Sequence, residues 1–357
     1  MPARPLEAPD EELVGADRVR GGQLGTAARY VVDLLEEPGA EIRVVEGQLP
    51  IAEELLVAGH PDAFELRSLE PADAGTVWAV DGGSCVVADG RSFSVAAHRV
   101  SRVRLVDGCT DVVEAPPLEV IAVSGERLET IAREALSELG EEPDQLPELP
   151  RPVDALREWA EWREVHRTIR EAAAGDLVLV DGSLHGSPLV PPGVVRRAHA
   201  EALDRGVSLA GVVKASTLYW GRHAPLVSLL KRRGDRELGA RAWAARISTD
   251  PVFGRLYVGD IFVAHLAPTA PYAFRVDLAR GPSDPRQVLG RLARLAGDPA
   301  FVGYPYPLAR AHQAARVTGY AVADMRRAFR DALARAGMSE DDVEVLFQDF
   351  HVVLNRS

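Results

Sequence analysis

The sequence predicts an α/β protein built on a mixed sheet, and three observations carry that expectation. Two apolar runs, residues 77–84 (VWAVDGGS) and 177–184 (LVLVDGSL), each pass into an aspartate, glycine and a serine. Valine-rich segments follow the first run in quick succession, and a long helical stretch dense in Glu and Arg precedes the second. Strands buried on both faces read as unbroken apolar runs. Asp81 and Asp181 are therefore expected where their strands leave the sheet, held by rigid backbone yet open to solvent, metal or substrate. An Asp-Gly pair after one apolar run is usually only a turn. The repeat of the pattern weakens that reading, as does the segment after the second copy: GSPLVPPG is Pro-rich and does not return as an alternating strand.

Taken in order, residues 11–37 show helical spacing of Leu13, Val19, Leu24, Ala27, Val31 and Leu34, closed by Pro38-Gly39. A short helix is expected over 51–58. Strands follow over 76–80, 92–98 and 100–106 as an antiparallel meander, with Asp89-Gly90 as the hairpin signal. Residues 111–123 give a further strand or irregular segment and 126–139 a helix. The acidic, Pro-rich stretch 141–152 reads as a surface linker. A helix over 153–174 leads into the second Asp strand. Beyond it come a helix over 194–205, a strand over 207–215 holding Lys214, and an arginine-rich helix over 224–247. Strands at 254–258, 261–266 and 272–276 precede a helix starting near Asp284. The segment GYPYPLARAH (303–312) opens another helix, and helices over 321–336 and 339–348 end the chain. Alternating strands and helices of this kind point to a mixed sheet in an α/β fold.

Composition narrows the class. The chain has 357 residues, 46% of them hydrophobic, enough for one large or two modest domains. Two cysteines, Cys85 and Cys109, are too few for a disulfide framework or a thiolate zinc site. The first twenty residues carry no apolar signal core, and no window holds 18 uninterrupted apolar residues. A cytoplasmic protein with no membrane association is expected. The formal charge of −12 argues against broad non-specific nucleic-acid binding and leaves room for a local basic channel. Arg196, Arg197, Lys231, Arg232, Arg233, Arg236 and Arg241 are candidates to line one through phosphate contacts; ordinary exposed helix arginines are the competing reading.

Two aspartates on neighbouring strand ends suit a divalent cation, because magnesium and manganese take hard oxygen ligands. A third carboxylate would help hold a second metal. Glu158, Glu161 and Glu164 lie on the helix before Asp181, spaced three apart. Asp181 stands about 13 Å up its strand. The same height on an antiparallel helix lies about nine residues before its end, at about 1.5 Å each. With the end at Ala174 that selects Glu164, and Glu161 is the second choice. An E-x-x-E-x-x-E run is otherwise a solvated helix face. Two metals about 4 Å apart can activate water and stabilise a leaving oxygen of a phosphodiester. Lys214 could supply a cation to the phosphate, and His312 or Tyr304 a proton donor. Taken singly, these three residues also fit packing, helix-surface or snorkelling roles.

The chain resembles the NurA nuclease family. The resemblance is carried by AVDGGS with Asp81, LVDGSL with Asp181, VVKAST with Lys214, FRVDL with Arg275 and Asp277, and YPYPLARAH with Tyr304 and His312. It implies a ribonuclease H-like mixed sheet flanked by helices over 71–357, with helical insertions and C-terminal helices, behind an N-terminal helical segment, 1–70. It implies a manganese-dependent deoxyribonuclease, with magnesium as the second candidate metal. The implied activity is 5′ to 3′ on DNA, with single-strand endonuclease action, in end resection and double-strand break repair. A homodimer and a HerA-type hexameric ATPase partner are implied as well. Asp81, Asp181 and Glu164 fall on the metal ligands, and Tyr304 and His312 on the family's tyrosine and histidine. Gly83 lengthens the first motif by one residue, which could alter the loop beside Asp81. Two rivals remain: a non-catalytic DNA-binding adaptor of a motor ATPase, and an actin/hexokinase-type ATPase, for which no Gly-rich adenosine loop is evident.

Overall fold

The structure is a computed structural model describing residues 11–14, 17–20, 59–89, 93–106, 110–142, 152–187, 189–220, 224–247, 258–335, 339 and 341. A ten-stranded mixed sheet organises it. Small hairpins pair β1 (Glu11–Val14) with β2 (Asp17–Arg20), and β10 (Tyr219–Trp220) with β11 (Ala224–Pro225). The main strands are β3 (Leu66–Ser68), β4 (Val77–Asp89), β5 (Phe93–Val106), β6 (Thr110–Glu114), β7 (Glu119–Ser124), β8 (Leu177–Asp181), β9 (Ser208–Val213), β12 (Trp243–Ile247), β13 (Gly259–His265) and β14 (Phe274–Ala279). The helices are α1 (Gly125–Glu138), α2 (Pro152–Glu171), α3 (Pro192–Asp204), α4 (Leu226–Glu237), α5 (Pro285–Leu295), α6 (Tyr306–Ala315) and α7 (Gly319–Arg335). Among the described residues none is long and apolar enough to cross a membrane.

The sheet runs β3-β12-β13-β14-β9-β8-β4-β5-β6, with β7 also on β5. At its centre β4 pairs antiparallel with β5 and parallel with β8, and β8 pairs parallel with β9. This antiparallel hairpin, continued by two parallel strands that are reached through crossover helices, is the ribonuclease H-like arrangement. Strand alternation then sorts the core. Val77, Ala79, Leu177 and Leu179 face α5 and α6, while Trp78, Val80, Val178 and Val180 face α1, α2 and α3. Each fully buried leucine or valine among these contributes roughly 1.5–3 kcal/mol. The Arg291 guanidinium of α5 donates to the carbonyls of Ala74, Gly175 and Thr76 at 2.8–3.0 Å, tying together the entries to β4 and β8.

Several sequence expectations need correction. The described start of the 11–37 stretch is the β1–β2 hairpin, not helix; the rest of that stretch and the helix at 51–58 lie outside the described residues. In the 1–70 segment, Leu66–Ser68 pairs with β12 and so belongs to the main sheet. The strands expected at 92–98 and 100–106 are one long strand, β5, pairing along the whole of β4. The helix expected over 224–247 stops at Glu237, and Trp243–Ile247 is a strand paired on both sides, with β3 and β13. Arginine density outweighed the short WAARI run in the sequence reading, yet Trp243 and Ala245 are fully buried. The strand expected at 254–258 lies mostly outside the described residues, as does the helix at 339–348.

Candidate metal centre

The parallel pairing of β4 with β8 matches Val77–Val80 to Leu177–Val180, so Asp81 and Asp181 are the next residues on neighbouring strands. Both share the parity of Val77 and Leu177 and point to the α6 face. His312 comes from α6. One donor atom from each of Asp81, Asp181 and His312 lies within 4.8 Å of the others. His312 Nδ1 is 2.8 Å from Asp81 Oδ2.

The β4–β5 hairpin holds α6 in place. Ser101 Oγ donates to the Ala311 carbonyl at 2.6 Å, and Arg99 donates to the carbonyls of Ala315 and Arg316 at 3.1 and 2.7 Å. Gly83 completes the seat, because a Cβ there would overlap the Ala315 carbonyl. The extra glycine of the first motif therefore makes no loop: β4 continues to Asp89, and Gly83 admits the C-terminal turn of α6 against the strand.

Lys214, one residue past β9, forms an ion pair with Asp181. Its ammonium lies 5.2 Å from the centre of the Tyr304 ring, within cation–π range. Tyr304 is buried, stacks edge-on against Phe274 and donates to the Val212 carbonyl at 3.4 Å. Burial, then the charge of Asp181, push its phenol well above its usual range, so it stays protonated.

Of the two candidate helix glutamates, Glu161 rather than Glu164 lies against the Asp strands and lines the cleft with Asp181. Glu161 packs over Gly82, where a Cβ would overlap its carboxylate. Glu164 instead sits 3.4 Å from Arg102 Nη1, in a network with Glu114 and Glu171. The helix ends at Glu171, three residues before the expected Ala174. The same height argument, about nine residues back at about 1.5 Å each, then falls beside Glu161.

Burial raises Asp81 to about 8, helped by the charge of Asp181 and opposed by Lys214. Burial likewise raises Glu161 to about 7, opposed by Arg157. Burial lowers His312, and the positive charge of Lys214 adds to this. Buried carboxylates whose ionisation is disfavoured, beside an imidazole whose protonation is disfavoured, form a donor set that a divalent cation would relieve.

Glu161 and Asp181 open on a cleft of about 210 Å³, lined also by Arg157, Glu158, Ser183, His185, Thr217 and Arg275. Asp277 binds Arg275 through two bonds of 2.7 Å and accepts from Leu184 N at 3.0 Å, which anchors the loop after β8. Arg157 and this anchoring pair had no site role in the sequence reading. Arg157 lies one helical turn before Glu161, a spacing that could have flagged it. Of the arginines proposed for a channel, Arg233 is bound to Glu237 and to the carbonyls of Pro61 and Phe64, and Lys231 to Asp235. These two brace α4 rather than standing open to a ligand.

Residues 75–219 match the NurA domain family model. No curated protein matches the sequence. The NurA nuclease from Sulfolobus solfataricus is similar in structure, with 14% identity, a TM-score of 0.55, and coverage of 88% of this chain and 96% of that one. A structure of NurA bound to dAMP and manganese shares 9% identity at a TM-score of 0.42, covering 71% of this chain and 87% of that one. Human endonuclease V shares 15% identity with this chain at a TM-score of 0.33, covering 87% of it and 97% of that chain. The NurA domain match spans both Asp-Gly strands, and the likeness to the Sulfolobus solfataricus nuclease is one of fold.

Proposed function

We propose that this protein is a metal-dependent DNA nuclease that hydrolyses phosphodiesters, acting 5′ to 3′ with endonuclease action on single strands. The observation that carries the reading is the convergence of Asp81, Asp181 and His312 donor atoms within 4.8 Å of one another, with Asp181 also lining a polar cleft. Asp81, Asp181 and Glu161 would hold the metal. Manganese is the expected cation and magnesium the second, since both take hard oxygen ligands. Bound there, as a pair in the two-metal form of this chemistry, the cations supply Lewis acidity and lower the pKa of water.

The chain's own groups do the rest. Asp81 and His312, 2.8 Å apart, form a relay that can take the proton of an attacking water. Lys214 offers a cation to the phosphate once Asp181 has a stronger partner. Tyr304, held protonated under Lys214, keeps that cation over the site. Work with a hexameric HerA-type ATPase in DNA end resection, a homodimeric state and a cytoplasmic location complete the proposal.

The test is degradation of end-labelled DNA by the purified protein with manganese, with magnesium and with chelator, beside Asp81→Asn, Asp181→Asn and Glu161→Gln. Manganese-dependent cleavage lost in all three variants supports the reading, and product lengths give polarity. Silence of the wild type, repeated in the presence of the cognate ATPase, overturns it.

A further inference from the structure

The cleft poses an electrostatic problem. Glu158, Glu161 and Asp181 line it, and a DNA strand entering it carries one negative charge per nucleotide. Arg275, the arginine on the β14 side, is locked by two bonds to Asp277 and is almost wholly buried. Arg157 stands on the α2 side with a quarter of its side chain exposed. Its Nη1 donates to Glu161 Oε1 at 2.6 Å. Its Nη2 is 3.6 Å from Glu158 Oε1, beyond hydrogen-bond reach. Arg157 is thus held chiefly by the carboxylate that a metal would take over.

We propose that Arg157 is a DNA-phosphate-binding residue, released from Glu161 when a cation engages that carboxylate and then free to grip a phosphate of the strand lying between α2 and the loop after β8. This rests on the nuclease reading and names a contact within it. A planar guanidinium suits the role, since it can bind two phosphate oxygens at once. The arrangement also makes strand binding conditional: the cation for the phosphate becomes available only when the carboxylates are neutralised.

The experiment measures binding of a fluorescent single-stranded oligonucleotide by anisotropy across a salt series. It is run in calcium and in chelator, for wild type, Arg157→Gln and Arg157→Lys, with manganese binding measured separately by calorimetry. In calcium, Arg157→Gln is expected to flatten the slope of log affinity against log salt by about 0.7, one single-strand phosphate contact. Arg157→Lys keeps the charge and should keep most of the slope, and neither variant should weaken manganese binding. In chelator, wild type and Arg157→Gln should give matching slopes. An unchanged slope in calcium, or a loss of manganese affinity in Arg157→Gln, would overturn the proposal and leave Arg157 as a support for Glu161. Absence of DNA binding by the wild type would instead count against the nuclease reading beneath it.

Discussion

The two Asp-Gly stretches look alike in sequence and behave differently in the fold. Asp81 lies inside a 13-residue strand whose pairing with β5 continues past it, through Gly82 with Val100 and Gly83 with Arg99. Asp181 ends its strand: Gly182 takes φ +146° and the chain leaves the sheet. Asp81 meets an imidazole, and Asp181 meets an ammonium. One acid therefore pairs with a titratable ring, while the other pairs with a fixed cation. A repeated motif supplied two carboxylates at one height, and their neighbours give them different surroundings.

The largest expected effect tests whether the two acids are equals as metal ligands. Asp81→Asn and Asp181→Asn should each lower manganese-dependent cleavage by at least about 10³-fold, the scale of several kcal/mol of transition-state stabilisation from a bound metal. Calorimetry on the same variants should show weakened manganese binding in both. A variant that keeps near-wild-type cleavage would remove its aspartate from the centre.

Next comes the carboxylate that α2 sets over Gly82. Glu161→Gln should cost roughly 10- to 100-fold in activity or metal affinity. Glu164→Gln, one turn along, should leave activity within about threefold and change stability by no more than about 1 kcal/mol, since its ion pairs are partly solvated. Equal losses in steady-state assays would contradict the assignment of Glu161.

The asymmetry of the strands can be probed through their glycines. Gly83→Ala forces a methyl into the Ala315 carbonyl and should destabilise by about 1–3 kcal/mol in chemical denaturation. It should also displace His312 and reduce cleavage. Wild-type stability and activity in Gly83→Ala would show that the seat of α6 does not depend on this contact.

The smallest effect concerns pH. Burial, with the charge of Asp181, raises Asp81 from 3.8 to about 8 in the folded chain. A raised carboxylate pKa contributes stability below its unfolded value and loses it as pH climbs through the folded value. Thermal melts of the metal-free protein should therefore fall between about pH 5 and pH 8, more steeply than those of Asp81→Asn. Parallel curves would mean that Asp81 does not hold its proton.

Much of the centre was legible before the fold was known. Apolar runs meeting Asp-Gly marked two buried strands, because continuous burial leaves a one-dimensional trace; Lys214 stood out after an apolar run, and His312 only through the family resemblance. The choice between Glu161 and Glu164 was not legible. It turned on where α2 stops, and three residues at a helix end move a side chain by most of a turn. The strand β12 was hidden because its five residues earn their place by packing Trp243 and Ala245 into a core assembled from distant segments. Sequence alone determined that two aspartates follow buried apolar runs, since local patterns of burial and turning encode both. Only the tertiary structure decided that Glu161 and Arg157 share the cleft, that Gly83 seats α6, and that each aspartate has its own partner. Those facts depend on distances between elements far apart in the chain, and such distances follow from packing, not from spacing along the sequence.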